Sequence, residues 1–208
     1  MPFKKSIVDV MKRLYASKYI SVRDGNVSFK PKNQPFFYIS AGQVKKNEIN
    51  VDEIVKVYFE KKENPYDKDI TGKYNLVFEN NNSYHPSREI YMHSYLQTLT
   101  ENYNRHTFVV HAHPPNIISY TGLKYHKELS DIKTTFPELN VGKIGYNVKY
   151  HEAGSYKLAK NCFDNLKGND IVALERHGSL SIGDDIDKIF EDIETIEYYT
   201  GIELNAKT

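Results

Sequence analysis

Tryptophan is absent from this sequence and cysteine occurs once, at Cys162. A lone thiol excludes an internal disulfide and a cage of several thiolates, so a resident metal has to be bound through nitrogen and oxygen. Charge of one sign is also lacking: 28 basic and 27 acidic side chains leave a formal net charge of +1. That balance gives no general attraction to nucleic acid or to an acidic membrane surface. Long apolar runs are missing as well. No stretch approaches the roughly 20 residues that a membrane span needs, and the cationic opening MPFKKSIVDVMKRLYASKYI is followed by no signal-type apolar core. The expectation is a soluble, cytoplasmic protein with no membrane or nucleic-acid partner.

What is present is globular material. The chain of 208 residues is 39% hydrophobic and 26% charged, enough for one core. It shows no repeat and no Pro/Gly/Ser linker, so residues 1–208 read as a single α/β domain. Ile7, Val8, Met11, Leu14 and Tyr15 recur at helical spacing and predict a first helix. SVRDGNVSF reads as a tight turn leading into a strand, and PFFYISAG as a strand closing on Gly42. NVDEIVKVYFEKK fits a helical turn and a strand equally well. The polar stretch from Glu63 to Ser83, with YNLVFE as its strand candidate, reads as a surface excursion. HPSREIYMHSYLQTLTENY predicts a helix signalled by Pro86 and Ser87. TFVVHAH is a buried strand, and NIISYTGL a helix or turn. The segment from Thr134 to Tyr150 reads as a loop with short extended pieces. GSYKLAKNCFDNLKGND is a helix opened by Ser155 and closed by Gly168, IVALERHGSLSIG two strands meeting at His177 and Gly178, and DDIDKIFEDIETIEYYTGIEL a final helix.

Strand TFVVHAH ends on two imidazoles. Side chains alternate along a strand, so His111 and His113 share a face about 6.5–7 Å apart, a separation from which both can reach one zinc ion. Pro114 and Pro115 end the ladder where those rings project. His177 also stands at a strand end, beside a glycine that permits close backbone approach. Three neutral imidazoles with an open fourth position describe a catalytic zinc site. Spacing alone leaves plain alternatives open: two polar residues at a strand end, or ligands drawn from His85, His93, His106, His126 and His151. Glu89, in the first turn of its helix, is either a solvated carboxylate favoured by the helix dipole or a general base that doubles as an oxygen ligand. His93 lies one turn on and faces the same way; we read it as structural or as support for the ligands, not as a ligand.

These residues carry a resemblance. DGNVSF, YISAGQ, PSREIYMHSYL, FVVHAHPPN and ERHGSLSIGDDIDKIFEDIETIEYY come in the order and spacing of the class II aldolase and adducin-head family. The match runs from about Ile7 to about Ile202. The family includes fuculose-phosphate aldolase, ribulose-phosphate 4-epimerase and methylthioribulose-phosphate dehydratase. The resemblance implies a central, mainly antiparallel sheet flanked by helices in three layers. It implies Zn2+ held by His111, His113 and His177, and Glu89 as the acid/base that also visits the metal. Gly25, Asn26, Gly42 and Ser87 match contacts to the anionic end of a small sugar or sugar-phosphate substrate. Arg88 replaces a second serine and offers a fork that suits phosphate or carboxylate. The implied activity is a zinc-dependent lyase performing aldol addition or retro-aldol cleavage through a metal-stabilised enediolate, in a homotetramer with active sites between subunits. A dehydratase, a 4-epimerase and an adducin-like scaffold are the alternatives, and glutamate in place of aspartate at position 89 points away from the epimerase. The sequence departs from the pattern at Val22 and Arg23, where Gly-Thr is usual, and at Ala41, where a hydroxyl residue is usual, although Ser40 is one position away. The neighbouring-subunit tyrosine of the aldolases falls near Asp131, Ile132 and Lys133, leaving Tyr125, Tyr146 and Tyr150 as candidate proton donors.

Overall fold

The computed structural model describes residues 2–61, 74–79, 84–98, 106–123 and 126–206. In chain order the elements are α1 (Pro2–Ala16), β1 (Asn26–Lys30), β2 (Phe36–Ser40), β3 (Ile54–Lys61), β4 (Tyr74–Phe78) and α2 (Ile90–Gln97). They continue with β5 (Thr107–Ala112), α3 (Pro115–Ile118), α4 (Ile132–Thr135), α5 (Tyr156–Leu166), β6 (Ile171–Leu174), β7 (Gly178–Gly183) and α6 (Ile186–Ala206). The strands form one sheet in the order β4-β3-β2-β1-β5-β7-β6, and each neighbouring pair is antiparallel. No described helix is long and apolar enough to cross a membrane.

Helices cover both faces of the sheet, which gives three layers. On one face Val27, Phe29, Phe108, Val110 and Ala112 pack with Ile7, Met11 and Leu14 of α1 and with Ile189, Ile193 and Ile196 of α6. On the other, Val109, Val172, Leu180 and Ile182 pack with Met92 and Leu96 of α2 and with Leu158, Cys162 and Leu166 of α5. Each Val, Leu, Ile, Met or Phe among them contributes about 1.5–3 kcal/mol on leaving water. Strand β5 is covered on both faces, Phe108, Val110 and Ala112 facing one layer and Val109 the other, which is why TFVVHA is buried along its whole length.

Local chemistry settles the segments that periodicity left open. Asn50 accepts the amide of Asp52 at 2.9 Å while Glu53 accepts that of Asn50, so a single 3-10 turn over Val51–Glu53 precedes strand β3. NIISYTGL is helical, with α3 running into a π-helical turn over Ser119–Leu123. Helix α2 starts later than the Pro86-Ser87 signal suggests: Ser87 Oγ accepts the Glu89 amide, and the helix begins at Ile90. Ser155 caps α5 through Leu158 N at 3.2 Å, and Gly168 follows that helix with φ +77°. The expected surface excursion over 63–83 lies outside the described residues apart from its strand, β4, at the sheet edge.

Candidate active site

Three chain segments deliver the site. His111 pairs across the sheet with Asn26 of β1 and Leu180 of β7, so all three share the α2/α5 face. Two residues on, His113 is tied down by its backbone amide, which donates to Tyr19 O at 2.6 Å. His177 precedes β7 in a turn where Arg176 adopts φ +58°. The first residue of β7, Gly178, lies against the end of β5, and a Cβ there would collide with the Ala112 carbonyl and press on the His113 ring. Glycine at 178 is therefore what lets His177 come beside the other two imidazoles. Glu89 arrives at the head of α2, on the same side.

The ligand-capable nitrogens of His111, His113 and His177 all lie within 4.8 Å of one another, and their ring centroids are 4.7, 4.7 and 5.2 Å apart. His111 Nδ1 is 2.9 Å from the Ser179 carbonyl. A carbonyl only accepts, so this nitrogen carries the proton and Nε2 presents its lone pair to the centre. That Nε2 stands 2.9 Å from His113 Nε2. Two ring nitrogens aimed at each other need a proton or a cation to share. Glu89 brings Oε2 to 3.1 Å from His111 Nε2 and Oε1 to 3.4 Å from His177 Nε2. Neutral imidazoles beside one buried carboxylate are a donor set suited to a divalent metal without thiolates.

Electrostatics agree with that fit. Burial pushes Glu89 upward, but His111, His177 and the Asn26 amide outweigh it and hold the carboxyl well below its usual range. Burial also drives His177 down to about 3, helped by the neighbouring His111. His111 itself is raised, because the Glu89 charge outweighs the desolvation of a fully enclosed ring. The cluster thus calls for positive charge at its centre, beside the fully buried His111. Asp24, anchored by the Ser21 backbone and hydroxyl, stands 3.6 Å from His113 Nδ1 and steadies that ring from outside.

A cavity of about 820 Å³ opens onto this cluster. Gly25, Asn26, Gly42, Ser87, Arg88 and Glu89 all line it, with His113 and His177. Gly25 takes φ +70° and packs so tightly on Ile20 that no side chain fits. Asn26 is directed inward, its Nδ2 donating to Glu89 Oε2 at 2.9 Å. The Arg88 side chain is 80% exposed and reaches Glu152 at 3.8 Å, which places its fork at the rim. Of the candidate proton donors, Tyr146 is 73% exposed, Tyr150 stacks under Arg176, neither lines the cavity, and Tyr125 lies outside the described residues. Tyr84 and Lys46 do line it, and sequence reasoning passed over both. Lys46 is only 1% exposed, and its ammonium donates to Ala41 O at 2.6 Å. Burial brings it down to about 8. Nothing in the polar run VKKNE signals that the second lysine turns inward.

Against known proteins, the class II aldolase and adducin N-terminal domain matches residues 5–204. The chain belongs to this family. An L-fuculose phosphate aldolase of Methanocaldococcus jannaschii is 25% identical over 194 residues, 93% of this chain and 91% of its own. The crystal structure of a sugar-phosphate aldolase from Thermotoga maritima superposes with a TM-score of 0.72 at 17% identity, covering 99% of this chain and 96% of that one. That of L-fuculose-1-phosphate aldolase from Thermus thermophilus gives 0.66 at 18%, covering 98% and 93%. These structural likenesses establish the class II aldolase fold. Within it this member lines the cavity wall with three cationic side chains, Arg23, Lys46 and Arg88.

Proposed function

We propose that the chain is a zinc-dependent aldehyde-lyase that forms or breaks a carbon–carbon bond in a small sugar or sugar-phosphate ketose. One observation carries this reading: three imidazoles and a carboxylate, from segments far apart in sequence, meet at a cavity of a size that encloses such a molecule. His111, His113 and His177 would hold the ion, which when bound draws electron density from the carbonyl of a ketose and offsets the negative charge left beside it. Glu89 is ionised and within the cluster, so it can take the proton from the carbon next to that carbonyl. The C–H electron pair stays with the substrate and either attacks an aldehyde or, in reverse, is supplied by the breaking carbon–carbon bond. Gly25, Gly42, Ser87 and Arg88 would receive the anionic end of the substrate with Lys46 and Arg23, whose charges would offset the loss of the family's hydroxyls at positions 23 and 41. The name of the M. jannaschii relative supports a phosphorylated sugar.

A homotetramer with sites between subunits, in the cytoplasm, belongs to the same proposal. Tyr150, exposed beside the His177 turn, and the exposed Tyr146 are surfaces for a partner subunit to cover. The adducin-like scaffold reading is disfavoured by the assembly of all four candidate residues.

The test is metal analysis of purified protein after mild dialysis, followed by a screen of ketose phosphates and their unphosphorylated or carboxylated analogues. About one zinc per chain and zinc-dependent aldehyde formation are expected. Protein without metal, and no product restored by zinc, would remove the lyase reading. Zinc-dependent loss of water from the ketose in place of an aldehyde would shift it to the dehydratase.

A further inference from the structure

Behind Glu89, a line of buried polar side chains runs into the α2/α5 layer. Asn26 and Ser28 of β1 are two residues apart and lie on the face opposite Val27 and Phe29, while His93 and Gln97 of α2 are four apart. Two residues of strand rise about 6.8 Å and four of helix about 6 Å, so the pairs can meet in register. They do meet. Gln97 Nε2 donates to Ser28 Oγ at 3.0 Å, His93 Nδ1 lies 2.7 Å from the same hydroxyl, and His93 Nε2 contacts Asn26 Oδ1. Asn26 Nδ2 then donates to Glu89 Oε2 at 2.9 Å.

Each proton in this line is determined by its neighbour. Ionised Glu89 only accepts, so the Asn26 nitrogen faces it and the amide oxygen faces His93. An amide oxygen also only accepts, which puts the His93 proton on Nε2 and leaves Nδ1 bare. Nδ1 takes the Ser28 hydroxyl proton, and the Ser28 oxygen takes one from Gln97. At the far end Gln97 is held the same way round, its Nε2 lying 3.3 Å from the Thr107 carbonyl. All four hydrogen bonds donate toward the carboxylate. The ring is fully enclosed, and burial pushes it down to about 3, which keeps Nδ1 free to accept.

We propose that His93, oriented by Ser28 and Gln97, is a positioning residue: it locks the Asn26 amide with its nitrogen toward Glu89 and so aims the carboxylate at the histidine cluster. The proposal rests on Glu89 being the base. It also gives Asn26 an inward task beyond lining the cavity. An amide does not pass protons on readily, so the proton that Glu89 collects returns through the cavity and not through the core.

Two measurements test this on the full-length, metal-loaded protein. In 15N-histidine spectra, His93 is expected to show a protonated Nε2 and a bare Nδ1, unchanged between pH 5 and 8. A proton on Nδ1, or titration in that range, would overturn the chain. Second, hydrogen exchange from deuterated water into dihydroxyacetone phosphate is followed in His93→Leu, Asn26→Ala and the double variant. At saturating ketose each single change is expected to slow exchange on the order of 100-fold with zinc retained, and His93→Leu, which lies outside the cavity lining, is expected to leave KM unchanged. The double is expected to be no worse than either single, because both break the same link. Independent, multiplying losses would refute the link. If His93→Leu does not fold, Ser28→Ala takes its place, with the same non-additivity expected against Asn26→Ala. Absence of exchange in the unmodified protein would count against Glu89 as the base with this ketose, and the histidine spectrum would still decide the chain.

Discussion

The two faces of the central strands use the same backbone for different ends. Val27, Phe29, Val110 and Ala112 point to the layer of α1 and α6, where the packing is apolar. Asn26, Ser28 and His111 alternate with them and point to α2, where they meet Glu89, His93 and Gln97. Along these strands one face is purely packing, while its neighbour adds the chemistry to an apolar core of its own, a single residue out of step. Polar groups survive on the second face because each of these side chains has at least one partner, although Gln97 Oε1 and Glu89 Oε1 accept no hydrogen bond among the described residues: burying them unpaired would cost several kcal/mol, while a directed chain of hydrogen bonds offsets that cost.

This contrast can be broken from either side. The largest effect is expected from His111→Ala, which should abolish bound zinc and reduce aldehyde formation to background, as metal analysis and a product assay would show. Glu89→Gln is expected to keep the zinc and lower proton exchange beside the carbonyl by about 10²–10⁴-fold; retained exchange would remove Glu89 from the role of base. On the opposite face, Phe29→Ala should destabilise the protein by about 3–5 kcal/mol in denaturant unfolding while the folded fraction binds zinc as before. A selective loss of zinc there would mean that the two faces are not separable.

Lys46→Met is expected to raise KM for an anionic ketose about 10- to 100-fold, consistent with a charged hydrogen bond worth about 1.5–3 kcal/mol. The smallest expected effect is on pH-dependent stability. The folded state holds Lys46 at about 8 against an ordinary 10.5. Between those values the unfolded chain binds more protons, so this lysine makes the protein more stable as pH rises through that window. The melting-temperature advantage of Lys46→Met should therefore be greatest below pH 8 and shrink toward pH 10.5. An advantage independent of pH would show that Lys46 is not held near 8.

Much of this arrangement was legible along the chain. The period of two in TFVVHAH put His111 and His113 on one face, and the period of 3.6 put Glu89 and His93 on one side of α2. Family resemblance singled out His177 from the remaining histidines, which spacing alone left undecided. Less accessible was the inward turn of Lys46 within VKKNE, since a lysine side chain is read as solvated until a fold is seen to enclose it. Asn26 was legible as part of a turn motif, yet the direction of its amide depends on Glu89 and His93, both more than sixty positions away.

The amino-acid order by itself determined which residues are apolar, where strands and helices begin to form, and that any metal is bound without thiolates, because these follow from side-chain chemistry and local backbone period. Tertiary structure decided which imidazoles meet, how closely Gly178 allows two strand ends to approach, and which way every proton in the Asn26–His93–Ser28–Gln97 line points. Those outcomes depend on distances between segments remote in the chain, and no pattern read within one segment contains them.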